Sequence, residues 1–388
     1  MKKFLSVLLA TAVLAGALTG CSSGDKGEAK GKTLLIGGSG PLTGDNASYG
    51  ISVKQGAQLA AKEINAAGGV NGYNFEVRME DDQADTQQAV QAYSSLMDAG
   101  MNVSLGGVTS GACIAITEEV KKDGILMLTP SGSQKECTQY DSCFRVCFTD
   151  PDQGVYAADF IAKNAISKSG KVAIIYDKSN DYSAGITETF VEQAGKCGLE
   201  VVEKQAYTDQ SNTDFSVQLQ AVKASGADLL FLPVYAQQAA YVLTQAQSMD
   251  LKVAFFGCDG LDGIIEKIGA DNVKATEGVM LLTPFAADSK DPKTAAFTAA
   301  YKAEYNAVPD QFAADGYDAV YAISEAFKAA GVEPTAADFN EKMVAAMTTF
   351  TLEGVTGTMK WTADGEPAKT ATAVTIKDGA YVAFENQK

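Results

Sequence analysis

Two hydroxyl-rich turns and one acid are the places where this chain can do chemistry. Thr109-Ser110-Gly111 stands between an apolar run at 103–105 and a helical pattern over 112–121. A Ser or Thr there caps the helix by accepting from its free amides. The same hydroxyl and amides, at the positive end of the helix dipole, can instead hold a carboxylate. Thr129-Pro130-Ser131-Gly132-Ser133 follows a second apolar run at 125–128. Asp259 lies in Phe256-Gly257-Cys258-Asp259-Gly260 after a third, with Tyr235 ending the preceding strand and Tyr182 following another. One acid among tyrosines can grip an ammonium group through charge and cation–π attraction. It can equally be a solvated loop acid, and local sequence leaves both readings open.

Other patterns carry less. Gly37 to Gly44 (GGSGPLTG) lacks the Gly-Lys-Ser/Thr ending of a phosphate loop and contains Pro41, so it reads as a turn-rich loop at a cleft edge. Asp81-Asp82 precedes a helix, where acids cap, and no second acid cluster stands opposite to make a glycosidase or metal pair. The chain has no histidine, which removes Ser-His-Asp triads, Cys-His pairs and His-ligated zinc. With 31 Lys+Arg against 48 Asp+Glu the net charge is −17, the wrong sign for a nucleic-acid partner. No metal site, cofactor or catalytic residue is expected.

The elements that must position these residues alternate. Apolar strands at 33–36, 75–79, 103–105 and 125–128 are separated by helical patterns over 49–67, about 90–97 and 112–121. A second series starts after Phe148-Thr149-Asp150-Pro151, with strands at 171–176, 200–206, 228–234 and 253–257. Repeated β-α units predict largely parallel sheets with helices on both faces. Ligands of such sheets sit outside the carboxyl ends of the strands, where the hydroxyl turns and Asp259 fall. From Pro292 the pattern changes to three helical stretches, 292–306, 312–330 and 336–348, and short strands near 372–376 and 381–384 close the chain.

The first residues read as an address. Lys2 and Lys3 precede an apolar run over 4–18, which stops at Leu18-Thr19-Gly20-Cys21. That is the pattern of a secretory signal, and its end resembles a bacterial lipobox. The resemblance implies cleavage after residue 20, lipidation of Cys21 and anchoring to a membrane. Residues 22–32 (SSGDKGEAKGK) form a flexible tether. Six cysteines remain: Cys113, Cys137, Cys143, Cys147, Cys197 and Cys258. An exported chain permits disulfides, and one between Cys137 and Cys143 would close the polar turn TQYDS. Cys113, Cys197 and Cys258 read as small buried hydrophobes.

Taken in order, the motifs resemble the periplasmic leucine/isoleucine/valine-binding proteins, the amino-acid receptors of ABC importers. The likeness runs from Thr33 to about Phe384. It is carried by Gly40-Pro41-Leu42-Thr43-Gly44 with Tyr49-Gly50, by AQLAAKEINAAGGVNG at 57–72, and by Glu80-Asp81-Asp82-Gln83. GILMLTP at 124–130, Phe144-Arg145, DPDQG at 150–154 and Gly316-Tyr317-Asp318-Ala319 complete it. The resemblance implies an α/β fold of periplasmic-binding-protein type: two doubly wound parallel-sheet lobes joined by a three-segment hinge. Residues 33–151 and 283–368 would form lobe 1; 152–282 and 369–388 would form lobe 2. By the same resemblance Ser110 and Ser133 hold the ligand carboxylate, while the Ser131 carbonyl and Asp259 hold its ammonium. The family often has glutamate at the position of Asp259. Tyr49, Tyr182 and Tyr235 would line the cleft, with Phe312 near the side-chain pocket. The implied function is delivery of a free amino acid, branched-chain aliphatic by family default, to the permease of an ABC importer by a lipid-anchored monomer without catalytic activity. The alternative on the same fold is a sensor of a small amide, urea or peptide-like molecule.

Overall fold

The computed structural model describes residues 32–208, 212–369 and 371–384. The expected signal segment 1–20, the lipidation site Cys21 and the tether up to residue 31 lie outside the described residues.

The chain begins with β1 (Lys32–Gly40), α1 (Ala47–Ala66), β2 (Tyr73–Asp81), α2 (Thr86–Asp98), β3 (Val103–Gly107), α3 (Ser110–Asp123), β4 (Met127–Thr129) and β5 (Cys143–Arg145). Local chemistry sets the boundaries. Asp85 accepts from the Gln87 and Gln88 amides and opens α2, while Gly124, left-handed at φ 64°, ends α3. These strands form one sheet in the order β2-β1-β3-β4-β5, every neighbouring pair parallel.

The second series runs α4 (Asp150–Lys163), β6 (Lys171–Asp177), α5 (Asp181–Lys196), β7 (Glu200–Tyr207), α6 (Ser216–Ser225), β8 (Leu229–Leu232), α7 (Ala236–Ser248), β9 (Ala254–Gly257), α8 (Ile264–Ile268) and β10 (Met280–Thr283). The chain then returns to the first body. Of α9 (Pro292–Tyr305), α10 (Gln311–Ala330) and α11 (Phe339–Ala346), the first two pack on α1, and the small pair β11 (Leu352–Gly354) and β12 (Gly357–Met359) lies beside α10. It crosses once more to add β13 (Thr372–Lys377) and β14 (Ala380–Ala383) to the second sheet, ordered β14-β13-β10-β9-β8-β6-β7. The chain therefore passes three times between the sheets, as a hinged α/β fold requires.

Two details differ from the sequence reading. The second sheet is mixed: β13 runs antiparallel to β10, and β14 antiparallel to β13. Asp378 (φ 52°) and Gly379 (φ 74°) form the two-residue turn between them, a conformation that asparagine, aspartate and glycine tolerate best. Gly37 to Gly40 are not loop but the second half of β1. A Cβ on Gly37 would stand 2.4 Å from the Met101 sulfur, and one on Gly40 2.6 Å from Val108. These glycines allow a central strand to be pressed between neighbours.

One apolar cluster runs from Leu34 and Val103 beside the first sheet to Leu230 and Phe256 in the second. A smaller one, with Leu35, Leu96, Ile116 and Met127, fills the space under α2 and α3 and includes Cys113, Cys137 and Cys143. Among the described residues no helix is long and apolar enough to cross a membrane.

Candidate functional site

The strand ends of the two sheets face each other across a narrow cleft. Inside it lies a small cavity lined by Tyr49, Val108, Thr109, Ser110, Ser131, Ser133, Tyr182, Tyr235, Asp259, Gly260 and Phe312. All eight residues singled out from the sequence, which come from both lobes, meet at this one cavity. The room inside for a water-sized sphere is only about 20 Å³, little more than one water needs, so in this closed form the side chains or the lobes must shift before a larger molecule can enter.

One wall is a hydroxyl and amide cradle. Ser110 opens α3, and its Oγ accepts from the Ser133 and Gln134 amides, both at 3.2 Å, with the Ser133 Oγ at 3.3 Å. Thr109, at the N-cap, makes no side-chain cap bond, and its buried Oγ1 has no partner. The capping reading of this motif is therefore not realised, and an orphaned hydroxyl faces the cavity at the positive end of a helix dipole. Ser131 donates its hydroxyl to the Val108 carbonyl at 2.7 Å, so its backbone is what it can offer a ligand. Arg145, fully buried in β5, holds the whole turn. It reaches the Gly132 carbonyl and Thr138 Oγ1, both at 2.9 Å, and pairs with Glu366.

The opposite wall centres on Asp259, buried and therefore not a solvated loop acid. Burial pushes its carboxyl up to about 6; hydrogen bonds from Tyr182 and Gln153 and the Lys369 charge oppose that rise. Its backbone is pinned from both sides: the amide donates to Gln153 Oε1 at 3.1 Å, and the carbonyl accepts from Gln311 Nε2 at 2.7 Å. Asp150 lies behind the site, its carboxyl raised by burial and by the Asp259 charge. An aromatic row crosses the cleft. Phe312 meets Tyr49 at 4.6 Å, Tyr49 meets Tyr235 at 5.5 Å, and Tyr235 stacks on Tyr182 at 5.1 Å.

The cleft is closed. Tyr49, on α1, accepts from the Ala236 amide at 2.8 Å and donates to the Gly260 carbonyl at 2.7 Å, both on the second body. Gln134 Nε2 reaches the Asp181 carbonyl at 2.8 Å, the Gln311 amide reaches Asp262 Oδ2 at 3.0 Å, and Lys267 bonds the Asp45 carbonyl. Near the crossovers, buried Lys369 donates to Asp315 and the Val146 carbonyl at 2.9 Å and to Thr356 at 2.8 Å.

Several residues here escaped the sequence reading. Thr109 was in the quoted motif, but the serine beside it drew the attention. Gln153 and Gln311 act through backbone groups of a distant turn, which no local pattern announces. Asp81 ends β2 and Asp82 follows it, and neither caps α2, which Asp85 does: Asp81 accepts from the Leu42 amide and the Thr43 hydroxyl, and Asp82 from the Ala84 amide. The expected Cys137–Cys143 bridge is absent. All six cysteines among the described residues are free thiols, and Cys137 and Cys143 sit in separate packing positions under α3, Cys137 against the Ser110 carbonyl. No group of three or more candidate metal ligands occurs among the described residues.

Known proteins share this architecture. The family model for periplasmic binding proteins matches residues 33–380. The leucine-, isoleucine-, valine-, threonine- and alanine-binding protein of Pseudomonas aeruginosa is 30% identical over 338 residues, 86% of this chain and 87% of the relative. The branched-chain amino acid transporter substrate-binding protein LivJ of Streptococcus pneumoniae, solved with isoleucine, superposes with a TM-score of 0.82 at 29% identity. The match covers 91% of this chain and 98% of that one. The leucine-binding protein LivK of Thermotoga maritima gives a TM-score of 0.81 at 26% identity over 91% and 98% of the two chains. On the extent of these matches, the chain belongs to the periplasmic binding protein family.

Proposed function

We propose that this chain is an extracytoplasmic receptor that captures one free α-amino acid between its lobes and presents it to the permease of an ABC importer. One observation carries the reading: an uncapped helix N-terminus with an orphaned buried hydroxyl, at Thr109-Ser110, and a buried acid, Asp259, line one small cavity in the closed cleft. A zwitterion entering a dry cleft loses water from two charges, and each must find a partner. Ser110, Ser133, Thr109 and the α3 dipole suit the carboxylate. Asp259 and the Ser131 carbonyl suit the ammonium. The aromatic row of Tyr49, Tyr182, Tyr235 and Phe312 would surround an apolar side chain once the cleft opens to admit the ligand. The relatives named for leucine, isoleucine and valine make a branched-chain aliphatic ligand the first choice.

In this reading residues 33–151 and 283–368 move as lobe 1, and 152–282 and 369–388 as lobe 2. Closure reports occupancy to the permease. The receptor is a monomer without catalytic activity, held at the membrane through lipid on Cys21 after loss of residues 1–20.

Calorimetry on protein unfolded and refolded to remove carried ligand tests the charge assignment. Leucine, isoleucine and valine should bind, while 3-methylbutylamine and 4-methylpentanoate, each lacking one α-group of leucine, should bind at least a hundredfold more weakly. Equal affinity for either analogue would remove the zwitterion reading.

A further inference from the structure

A second cavity, far roomier than the first, opens between the two bodies beside the chain segment that leaves β10. It offers about 520 Å³ to a water-sized sphere, against about 20 Å³ at the candidate site, and lies in the usual range of small-molecule sites, about 300–1,000 Å³. One side is built by α1 and the loop ending at Asp310, the other by Asp262 to Glu266 and the β13–β14 turn; residues of the second crossover complete it. Four acids line it, Asp262, Glu266, Asp288 and Asp310, against one lysine, the exposed Lys302. None of the four acids has an ion pair among the described residues. Asp262 and Asp310 come from opposite bodies and meet here. Asp262 Oδ2 accepts at 3.0 Å from the amide of Gln311, the residue after Asp310, and Oδ1 accepts from the Gly263 amide at 3.0 Å. Asp310 accepts from the Ala313 amide at 2.8 Å and the Ser52 hydroxyl at 2.6 Å. Each carboxylate oxygen therefore keeps a free lone pair. Ser48 Oγ, on the same lining, is buried with no hydrogen-bond partner. The cavity also has apolar wall in reach of solvent: of the three large apolar side chains exposed among the described residues, two, Ile51 and Val308, line it.

We propose that this cavity binds a protonated aliphatic amine, with its ammonium between Asp262 and Asp310 and its chain against Ile51 and Val308, and that the bound cation holds the two bodies together. Two carboxylates brought together by closure lose water and repel each other; an ammonium between them supplies one positive charge and three donors. An alcohol or a carboxylate of the same length leaves both acids without a counter-charge. Burial raises both carboxyls, Asp262 to about 8 and Asp310 to about 6, as happens to acids without a cationic partner. Because the two acids belong to different bodies, the cation touches both only when the cleft is shut, and so it shifts the hinge toward closure. The consequence for amino-acid capture rests on the receptor reading above; the amine site itself does not.

The test titrates hexylamine hydrochloride into the full chain, refolded free of ligand, by calorimetry at low salt, with hexanol and hexanoate as the same chain without the cation. One saturable site for hexylammonium is expected, with no binding of the alcohol or the acid. Asp262→Asn and Asp310→Asn keep the side-chain shape and one acceptor, and each should weaken the amine by about tenfold or more. Asp259→Ala should leave the amine's affinity unchanged, which separates this cavity from the ammonium position in the cleft. Small-angle scattering of the ligand-free protein should show a more compact form with the amine than without it. Absence of saturable binding, equal binding of hexanol, wild-type affinity in both asparagine variants, loss of amine binding in Asp259→Ala, or scattering unmoved by bound amine overturns the proposal. No readout here uses an amino acid, so failure of this site leaves the proposed function standing, and failure of that function leaves this test intact.

Discussion

Replacing Tyr49 by phenylalanine keeps a ring of the same shape against Phe312 and Tyr235 and removes one oxygen. That oxygen makes two buried hydrogen bonds across the cleft, to the Ala236 amide at 2.8 Å and the Gly260 carbonyl at 2.7 Å. In the closed form both backbone groups lose their partner, at about 1–3 kcal/mol for each buried group left unsatisfied. In the open form water satisfies them, so the change falls on the closed form alone. The expected penalty is about 2–4 kcal/mol on closure, or roughly 30- to 900-fold in Kd for a ligand that binds only when the lobes shut. Calorimetry gives the affinity, and stopped-flow should place most of the loss in faster release. Small-angle scattering should show the ligand-free variant more open than the ligand-free wild type. A Tyr49→Phe protein within threefold of wild-type affinity would refute the reasoning, because Tyr49 would then not be holding the lobes together.

Other consequences follow from the buried charges. Asp259→Ala and Ser110→Ala should each weaken binding by more than tenfold, read by calorimetry; wild-type affinity in either would remove that residue from the site. Because burial raises Asp259 to about 6, and an ammonium needs the ionised carboxylate, affinity should fall as pH drops below about 6; a flat profile from pH 5 to 8 would contradict the pairing. Stability of the ligand-free protein should move the other way. Asp262 is raised to about 8, Asp315 to about 7, and Asp310 and Asp82 to about 6, in each case chiefly by burial. Folded values above the unfolded ones mean the folded protein holds more protons between about pH 4 and 8. Its stability therefore falls as pH rises through that window, and the ligand-free Tm should be higher at pH 5 than at pH 8. Lys369→Met leaves Asp315 buried and unpaired, so unfolding in urea at pH 8 should show a loss of about 3–5 kcal/mol, largely restored by adding Asp315→Asn; no loss would mean the pair is neutral.

The β-α alternation was legible because buried parallel strands are short apolar runs and the helices between them show their period. The site was legible in part. Ser110, Ser131, Ser133 and Asp259 fall at strand ends, where such sheets bind ligands. Tyr49 and Phe312 entered only through the family resemblance, since nothing local marks an aromatic residue as a cleft wall. What stayed hidden depends on partners distant in sequence. Thr109 reads as a helix cap until the structure shows its hydroxyl unbonded. Gln153 and Gln311 matter only because segments about a hundred and fifty residues apart in the chain converge on the Asp259 backbone. The run Gly37 to Gly40 looked like a loop because glycine is permissive, yet here it answers to crowding by Met101 and Val108. Asp378-Gly379 was a readable hairpin turn that strand periodicity alone did not use. Cys137 and Cys143 bracket a turn in sequence, but the Cys137 sulfur lies buried against the Ser110 carbonyl at the start of α3.

The account rests on one claim, that the cavity between Ser110 and Asp259 holds a free amino acid. A thermal-shift screen of the unfolded and refolded protein against the twenty amino acids, urea, short amides and small carboxylates tests it most directly. A ligand at about a hundred times its Kd adds about 2.7 kcal/mol of stability, enough to raise Tm visibly. The account predicts a raised Tm with one or a few aliphatic amino acids and none with urea, amides or simple carboxylates. Silence from every amino acid, with a response to an amide or urea, would contradict it and void the role assigned to Asp259.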